Sequence, residues 1–367
     1  TTATAAAALP KAGGTMTGNL ATAGISSVTL GTGNFVAGDT AGDSIVSGGN
    51  YNTLVGSAAG TANTTGGYNS ALGRNALGSN ITGASNVAVG RNTMFTNTTA
   101  SNNTAVGDSA LYTNTTGDSN VAVGYSSLYS NTTATNNTAV GKSALSANTT
   151  GASNVAVGKS ALAANTTGPY NTSVGADSLD ANTTGSANTA LGFKALGANT
   201  TASNNTAVGA DSLDATTTGS YNAAVGQGAL GANTTGGDNT AMGVGALTAN
   251  TTANSNTAFG RASLNANTTG ADNVAVGYGS LQKNTTANDN TAVGKTALYW
   301  NTTGSQNTAI GRGVMEQNTT GSNNTAVGRI ALIANTTGAN NTAVGASALD
   351  ANTTASHGSA FGFSALS

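Results

Sequence analysis

A glycine recurs every 17 residues through most of the chain, in 19 successive turns without insertion or deletion. It occupies Gly56, Gly73, Gly90, Gly107, Gly124, Gly141, Gly158, Gly175, Gly192, Gly209, Gly226, Gly243, Gly260, Gly277, Gly294, Gly311, Gly328, Gly345 and Gly362. The consensus is Asn-Thr-Ala-Val-Gly-x-x-Ala-Leu-x-x-Asn-Thr-Thr-Gly-x-x, and positions are numbered below from this marker glycine. A disordered chain has no reason to keep such a phase. The repeat predicts an all-β solenoid, a β-roll or β-helix, over residues 52–367, after an N-terminal connector at 1–51.

Apolar residues occupy fixed positions of the repeat. Position −1 is always apolar, and position +4 is Leu except at Gly60, Met94 and Met315. We expect these two positions to face inward. Position −2 is Ala except at Leu54 and Ser173, which predicts a close neighbour there. The segment Asn-Thr-Ala-Val alternates and contains β-branched residues, so it predicts a short strand.

Two further positions indicate corners and loops. Position +10 is Gly or Ala, so its backbone is expected not to be left-handed. Pro169 at position −6 predicts that this loop residue donates no ladder hydrogen bond. Position +1 carries a cation in eight turns, which predicts an outward-pointing column and a corner at the glycine. These cations are Arg74, Arg91, Lys142, Lys159, Arg261, Lys295, Arg312 and Arg329.

Asparagine fills two positions almost without exception. Position −4 is Asn in 18 of 19 turns, Gly358 being the exception, and position +7 is Asn in 17 of 18, Thr216 being the exception. Stacked Asn side chains can hydrogen-bond to one another and to turn backbone. The alternative is glycosylation, because Asn-Thr-Thr is also an acceptor sequence.

Composition narrows the choice of partner. With 11 basic and 13 acidic residues, the net charge of −2 gives no footprint for nucleic acid. The longest apolar run, Ala5–Leu9, is too short for membrane insertion. The absence of Cys excludes disulfides and thiolate metal sites. Each turn buries few large apolar side chains, too few to offset the entropy lost when its 17 residues are ordered. This predicts that the coils are intertwined or packed together as a parallel homotrimer.

The segment Leu9–Leu20 reads Leu-Pro-Lys-Ala-Gly-Gly-Thr-Met-Thr-Gly-Asn-Leu. It resembles the L-P-x-x-G-G-T-M-T-G-x-[IL] segment that recurs in bacteriophage tail fibres. The N-T-A-V-G repeats also resemble the distal repeat arrays of phage tail fibres. A looser resemblance connects them to the S-V-A-I-G repeats of trimeric autotransporter adhesin heads, which are left-handed β-rolls with a shorter repeat.

The tail-fibre resemblance implies a homotrimeric, extracellular fibre of the virion. Its N-terminal side would lead toward other virion or fibre proteins, and a tip would meet a host receptor or surface glycan. Many such fibres carry a self-cleaving chaperone domain after the repeats. We expect the present sequence to be a segment of a longer protein, because it lacks that domain and an anchoring domain.

No catalytic, cofactor-binding or metal-binding site is predicted, and the protein is predicted not to be an enzyme. A single His, His357, supports neither a metal cluster nor a nucleophile–base pair, and its place in the final turn favours a capping change. The acids Asp177 and Asp180 recur two turns on as Asp211 and Asp214, about 9–10 Å along the coil. They could form a glycosidase pair, but a duplicated block of sequence explains them more simply.

Aromatic residues recur at two positions expected to be exposed, where they could stack on sugars or serve surface packing and trimer contacts. Tyr51, Tyr68, Tyr170 and Tyr221 are at position −5, and Tyr125, Phe193, Tyr278 and Phe363 are at position +1. The outward cations could likewise meet anionic glycans, although solubility and protection of sheet edges explain them as well.

The sequence thus favours a structural fibre protein, a phage tail-fibre shaft that projects a receptor-binding tip. One alternative is an adhesin whose repeat array itself binds host glycan or matrix. A lower alternative is ice binding, disfavoured because the Thr columns do not form a wide Thr-x-Thr face. An enzymatic tailspike would need a groove that breaks the repeat, and Gly56 to Gly362 show no break.

Overall fold

The structure, a computed structural model, describes residues 31–367. The tail-fibre-like segment Leu9–Leu20 lies outside these residues. The described part contains 20 strands of three residues and no helix. The strands are β1 Phe35–Ala37, β2 Thr53–Val55, β3 Ser70–Leu72, β4 Val87–Val89, β5 Thr104–Val106, β6 Val121–Val123, β7 Thr138–Val140, β8 Val155–Val157, β9 Thr172–Val174, β10 Thr189–Leu191, β11 Thr206–Val208, β12 Ala223–Val225, β13 Thr240–Met242, β14 Thr257–Phe259, β15 Val274–Val276, β16 Thr291–Val293, β17 Thr308–Ile310, β18 Thr325–Val327, β19 Thr342–Val344 and β20 Ser359–Phe361.

Each strand pairs in parallel with the next strand along the chain. From β2 to β20 the register is one repeat, as in Thr189↔Thr206 between β10 and β11. This confirms the all-β solenoid of 17-residue turns. The β1–β2 pairing, with Phe35 opposite Thr53, places one coil turn before residue 52. The described end of the 1–51 connector is therefore already coiled.

Within each strand, only the middle residue faces the interior. Position −2 is buried in every strand, while positions −3 and −1 are exposed or half-buried. The expectation that position −1 faces inward is therefore wrong, whereas that for Leu at +4 is correct: Leu77 is fully buried. Successive side chains point to opposite sides of a strand, so an inward alanine places its valine neighbour outside.

The interior is a narrow stack of Ala and Leu, and its exceptions compensate one another. Leu54 fills the alanine position of its turn, and Gly60 replaces the leucine; a Cβ at Gly60 would lie 2.8 Å from Leu54 Cδ1. Ser173 also replaces an alanine, and its hydroxyl donates to Ser178 O (2.8 Å). Close packing of a thin core explains why a large residue at one position requires a small one opposite.

Corners depend on left-handed backbone. The marker glycines have φ between 124° and 145°, as expected for a corner. Leucines at +4 are also left-handed, for example Leu264 with φ 48°. Such a conformation costs a leucine about 1–2 kcal/mol, which burial and hydrogen bonds to adjacent turns offset. Position +10 is not left-handed, which confirms the inference from its alanines.

The two Asn columns are buried ladders. At position +7, Asn80 Nδ2 donates to Asn63 Oδ1 (2.7 Å) and to Gly83 O (2.9 Å). At position −4, the Asn86 backbone N–H donates to Asn69 Oδ1 (3.0 Å), and Asn69 Nδ2 also donates to Gly83 O (2.9 Å). Each ladder therefore connects a turn to its neighbour and to its own loop, which confirms the structural interpretation of these residues.

The exception Thr216 interrupts the ladder at position +7. Thr216 lies one turn after Asn199, and Asn199 Oδ1 is buried without a hydrogen-bond partner. Asn233 Nδ2 reaches Thr216 Oγ1 at only 3.4 Å. An unsatisfied buried acceptor costs about 1–3 kcal/mol.

We therefore expect Thr216→Asn to raise the free energy of unfolding by about 1–2 kcal/mol, measured by urea unfolding. Thr218→Asn, at an exposed site in the same turn, is the control; an equal gain there would contradict the ladder explanation.

Candidate functional site

One column of the outer surface of the parallel sheet is apolar from β2 to β20. From β2 to β20, position −1 is occupied only by Val, Leu, Ile, Met or Phe, and no strand carries a charged residue. The larger members are well exposed: Leu72 at 53%, Phe259 at 53% and Phe361 at 70%. Position −3 is mostly Thr, so this face reads Thr-x-Val and is not a Thr-x-Thr array.

Strand propensity alone does not explain this apolar column. Threonine is as good a strand former as valine, and it fills position −3 of most strands, yet it never occurs at position −1. Leu and Met, which are weaker strand formers, do occur there. The common property of position −1 is therefore apolar surface.

The aromatic positions predicted to be exposed are exposed, from Tyr278 at 48% to Phe363 at 82%. Tyr51 and Tyr68 stack with their ring centroids 5.1 Å apart. In a second stack, at residues not predicted from the sequence, Tyr112 lies between Phe95 (5.5 Å between ring centroids) and Tyr129 (5.1 Å). Their recurrence at position +5 in successive turns was the available signal. These rings present their faces to one another, which favours a packing role.

The outward cations are exposed, as predicted, and four of the eight have a local partner. Arg91 donates to Asp108 Oδ2 (2.7 Å), and this hydrogen bond, followed by one from Ser109, holds the pKa of Asp108 below its usual range. Lys159 lies 3.9 Å from Asp177. These are the two salt bridges within residues 31–367. Lys142 instead lies over the Tyr125 ring, 6.0 Å from its centroid.

Three cations in successive turns lack an acidic partner. Lys295, Arg312 and Arg329 line one shallow cavity of about 300 Å³ together with Thr296, Gly313, Glu316 and Ile330. No carboxylate of the described residues lies within salt-bridge distance of these three cations. Glu316 Oε2 accepts a hydrogen bond from the Thr296 hydroxyl (3.3 Å). We call this cavity the basic groove; with three cations and one carboxylate it is net positive.

The paired aspartates approach one another more closely than their two-turn separation suggests. Gly197 lies between Asp180 and Asp214 in the same column, and a Cβ there would lie 2.6 Å from Asp214 Oδ1 and 3.8 Å from Asp180 Oδ1. Desolvation raises the pKa of both carboxyls, with a smaller contribution from Asp177 to Asp180 and from Asp211 to Asp214. Because Gly197 has no side chain, the carboxylates of Asp180 and Asp214 can both extend into the space beside it.

This raised pKa predicts the pH dependence of one substitution. A carboxyl whose pKa is raised by folding favours the folded state most when it is protonated, and it loses that contribution as the pH rises through the raised pKa. Asp214→Asn should therefore stabilise the coil at pH 7, by less than about 1 kcal/mol because the carboxylate keeps solvent contact. The gain should vanish below the ordinary Asp pKa of 3.8. Thermal unfolding at pH 3 and pH 7 measures both; a gain that persists at pH 3 would contradict the electrostatic cause.

The remaining chemistry-bearing residues assemble no further cluster. Within residues 31–367, no group of three or more His, Asp or Glu side chains is arranged to hold a metal ion. His357 is exposed, and its backbone N–H continues the coil by donating to Ala339 O (3.0 Å). The ladder Asn of each Asn-Thr-Thr from Asn63 to Asn335 is fully buried, so the folded coil has no room for a glycan on these side chains.

No family model matches the chain, and neither the curated proteins nor the solved structures contain a match. In residues 31–367 there is also no helix with the length and apolar character needed to cross a bilayer.

Proposed function

We propose that this chain is a structural, non-enzymatic fibre shaft, of the kind found in phage tail fibres, that projects a receptor-binding tip from a virion toward a host cell. The observation that supports this most directly is the unbroken coil. Twenty strands spaced by about 4.8 Å make a rod on the order of 90 Å long. Regular columns fill its interior, and no insertion interrupts them between Gly56 and Gly362.

The apolar column at position −1 supports the second part of the proposal, a parallel homotrimer. A parallel in-register assembly about an axis along the rod would bring this column of each chain against its equivalents. A strip about 90 Å long and 10 Å wide amounts to roughly 900 Å² per chain, which is the size of a standard protein interface. The absence of charge on the described strands removes the main desolvation cost of such a contact.

Sedimentation equilibrium tests the assembly against the 35.0 kDa chain mass. The expected mass is three times that of the chain, with a rod-like scattering profile. Val208→Asp with Val225→Asp should convert the trimer to monomer. Thr218→Asp with Thr235→Asp adds the same charges at exposed sites away from the sheet and should leave the trimer intact. A folded wild-type monomer would overturn the homotrimer but not the rod.

Cysteine cross-linking keeps the test valid if the aspartates disturb folding. The chain contains no Cys, so Val208→Cys introduces a single thiol. In a parallel in-register assembly, oxidation should yield a cross-linked dimer on a non-reducing gel. Thr218→Cys is the matched control, and equal cross-linking of both variants would contradict the proposed interface.

A further inference from the structure

We propose that the basic groove binds an acidic polysaccharide, through carboxylate or phosphate groups on its sugars. Three cations line this groove. Lys295, Arg312 and Arg329 occupy the same position of successive turns, so their backbones lie about 4.8 Å apart. All three are exposed. Like charges at this spacing repel one another, so an anion between them would relieve a cost that the isolated chain carries.

Comparison with the other cation runs separates this groove from ordinary surface charge. Arg74 and Arg91 are followed one turn later by Asp108, which pairs with Arg91. In the run of Lys142 and Lys159, Lys159 lies beside Asp177. The run at 295–329 is the longest, and it has no carboxylate within salt-bridge distance among the described residues. Solubility alone would not require three stacked cations beside a cavity.

The chemistry of the lining residues suits an acidic sugar chain. Two guanidinium groups can each form paired hydrogen bonds to a carboxylate or phosphate. Tyr278 lies one turn before Lys295 and is 48% exposed, and its ring centroid is 5.9 Å from Lys295 Nζ. It therefore extends the site with an apolar surface on which a sugar can pack. The Glu316 carboxylate supplies an acceptor for sugar hydroxyls.

Nucleic acid fits the groove less well. Specific and non-specific DNA binding commonly engage about 6–10 phosphates, whereas this groove presents three cations on a chain of net charge −2. An acidic polysaccharide can bind by meeting these three cations with a few of its charged groups, while its sugar hydroxyls make further hydrogen bonds. Because the three cations follow one another along the rod axis, such a polymer can lie along that axis.

Binding of defined polymers tests the proposal. The immobilised 367-residue chain is exposed to polygalacturonate, which carries carboxylates, to a phosphomannan, which carries phosphates, to single-stranded DNA and to neutral dextran. We expect binding of one or both acidic polymers and none of dextran; the stronger ligand identifies the anionic group. Arg312→Ala with Arg329→Ala should weaken that binding by about 10-fold or more, as expected for the loss of charge-assisted hydrogen bonds.

The matched control is Lys142→Ala with Lys159→Ala, which removes two cations from successive turns at the same position but outside the groove. It should change the affinity by less than about 2-fold, as expected for a site it does not touch. Equal losses in the two variants, no binding of either acidic polymer by the wild type, or tighter binding of single-stranded DNA than of both acidic polymers would each overturn the proposal. Both variants alter exposed side chains, and unchanged circular dichroism confirms that folding is retained. Sedimentation equilibrium measures the trimeric assembly separately. A result that contradicts the trimer can therefore be distinguished from one that contradicts polysaccharide binding by the basic groove.

Discussion

Gly209→Ala should destabilise the coil by about 2–4 kcal/mol, more than most single methyl additions, because strain and a backbone clash combine. Gly209 has φ 129°, a conformation that L side chains rarely adopt. A Cβ there would lie 2.7 Å from Gly226 C and 2.8 Å from Gly226 O in the next turn. Relief would require the adjacent corner to move, and that corner is itself a marker glycine.

Gly231→Ala is the matched control, because it makes the same change in the next turn at a glycine whose added Cβ would meet no atom closer than 3.2 Å. Gly231 is not left-handed, and the same position of the repeat is Ala in another turn, at Ala163. We expect a cost below about 1 kcal/mol there. Urea unfolding measures both variants, and similar losses at the two sites would show that the corner is not the special feature of the repeat.

Asn165→Ala should cost about 2–5 kcal/mol, since it leaves the buried Asn148 Oδ1 without a partner and removes one of the two hydrogen bonds that Asn182 Nδ2 donates. Asn165 Nδ2 donates to Asn148 Oδ1 (2.9 Å), and Asn165 Oδ1 accepts from Asn182 Nδ2 (2.8 Å). Both bonds disappear with the side chain. Gly168 O, the other acceptor of Asn165 (3.0 Å), keeps its bond from Asn154 (2.9 Å).

Hydrogen exchange localises this effect to the altered turn. Solenoid turns contact only their neighbours, so the loss of protection should be greatest in the turns before and after residue 165. Asn165→Thr, which copies the residue at Thr216, should cost less, and Thr167→Ala, at an exposed site, less than about 0.5 kcal/mol. A uniform loss of protection along the rod would contradict a local ladder.

The period of the repeat was sufficient to predict the solenoid, the corner glycines, the inward leucine and the Asn ladders, because each depends on contacts between identical positions of adjacent turns. The direction of position −1 could not be obtained the same way. A column of apolar residues predicts that these side chains are buried. It does not distinguish burial inside the coil from burial against another surface. Here Ala88 and its equivalents fill the interior, and Val89 and its equivalents lie outside.

The candidate sites depend on smaller details than the period. The basic groove forms because three cations follow one another without an acid, and this order is visible in the sequence. The cavity of the groove is not visible in the sequence, because it depends on Gly313 and on the position of Glu316. The approach of Asp180 and Asp214 likewise requires the glycine between them. The repeat indicates which positions are exposed. The residues that depart from the consensus determine which sites form at those positions.

The constant register of the sheet also has a consequence for inheritance. Every turn presents the same backbone donors, acceptors and Asn side chains to the turns on either side, so removing or duplicating one 17-residue unit joins two compatible surfaces. Recombination between repeats would change the rod by steps of about 4.8 Å without disturbing the remaining turns. The length of such a rod is therefore a trait that selection can adjust in equal increments, independently of its fold.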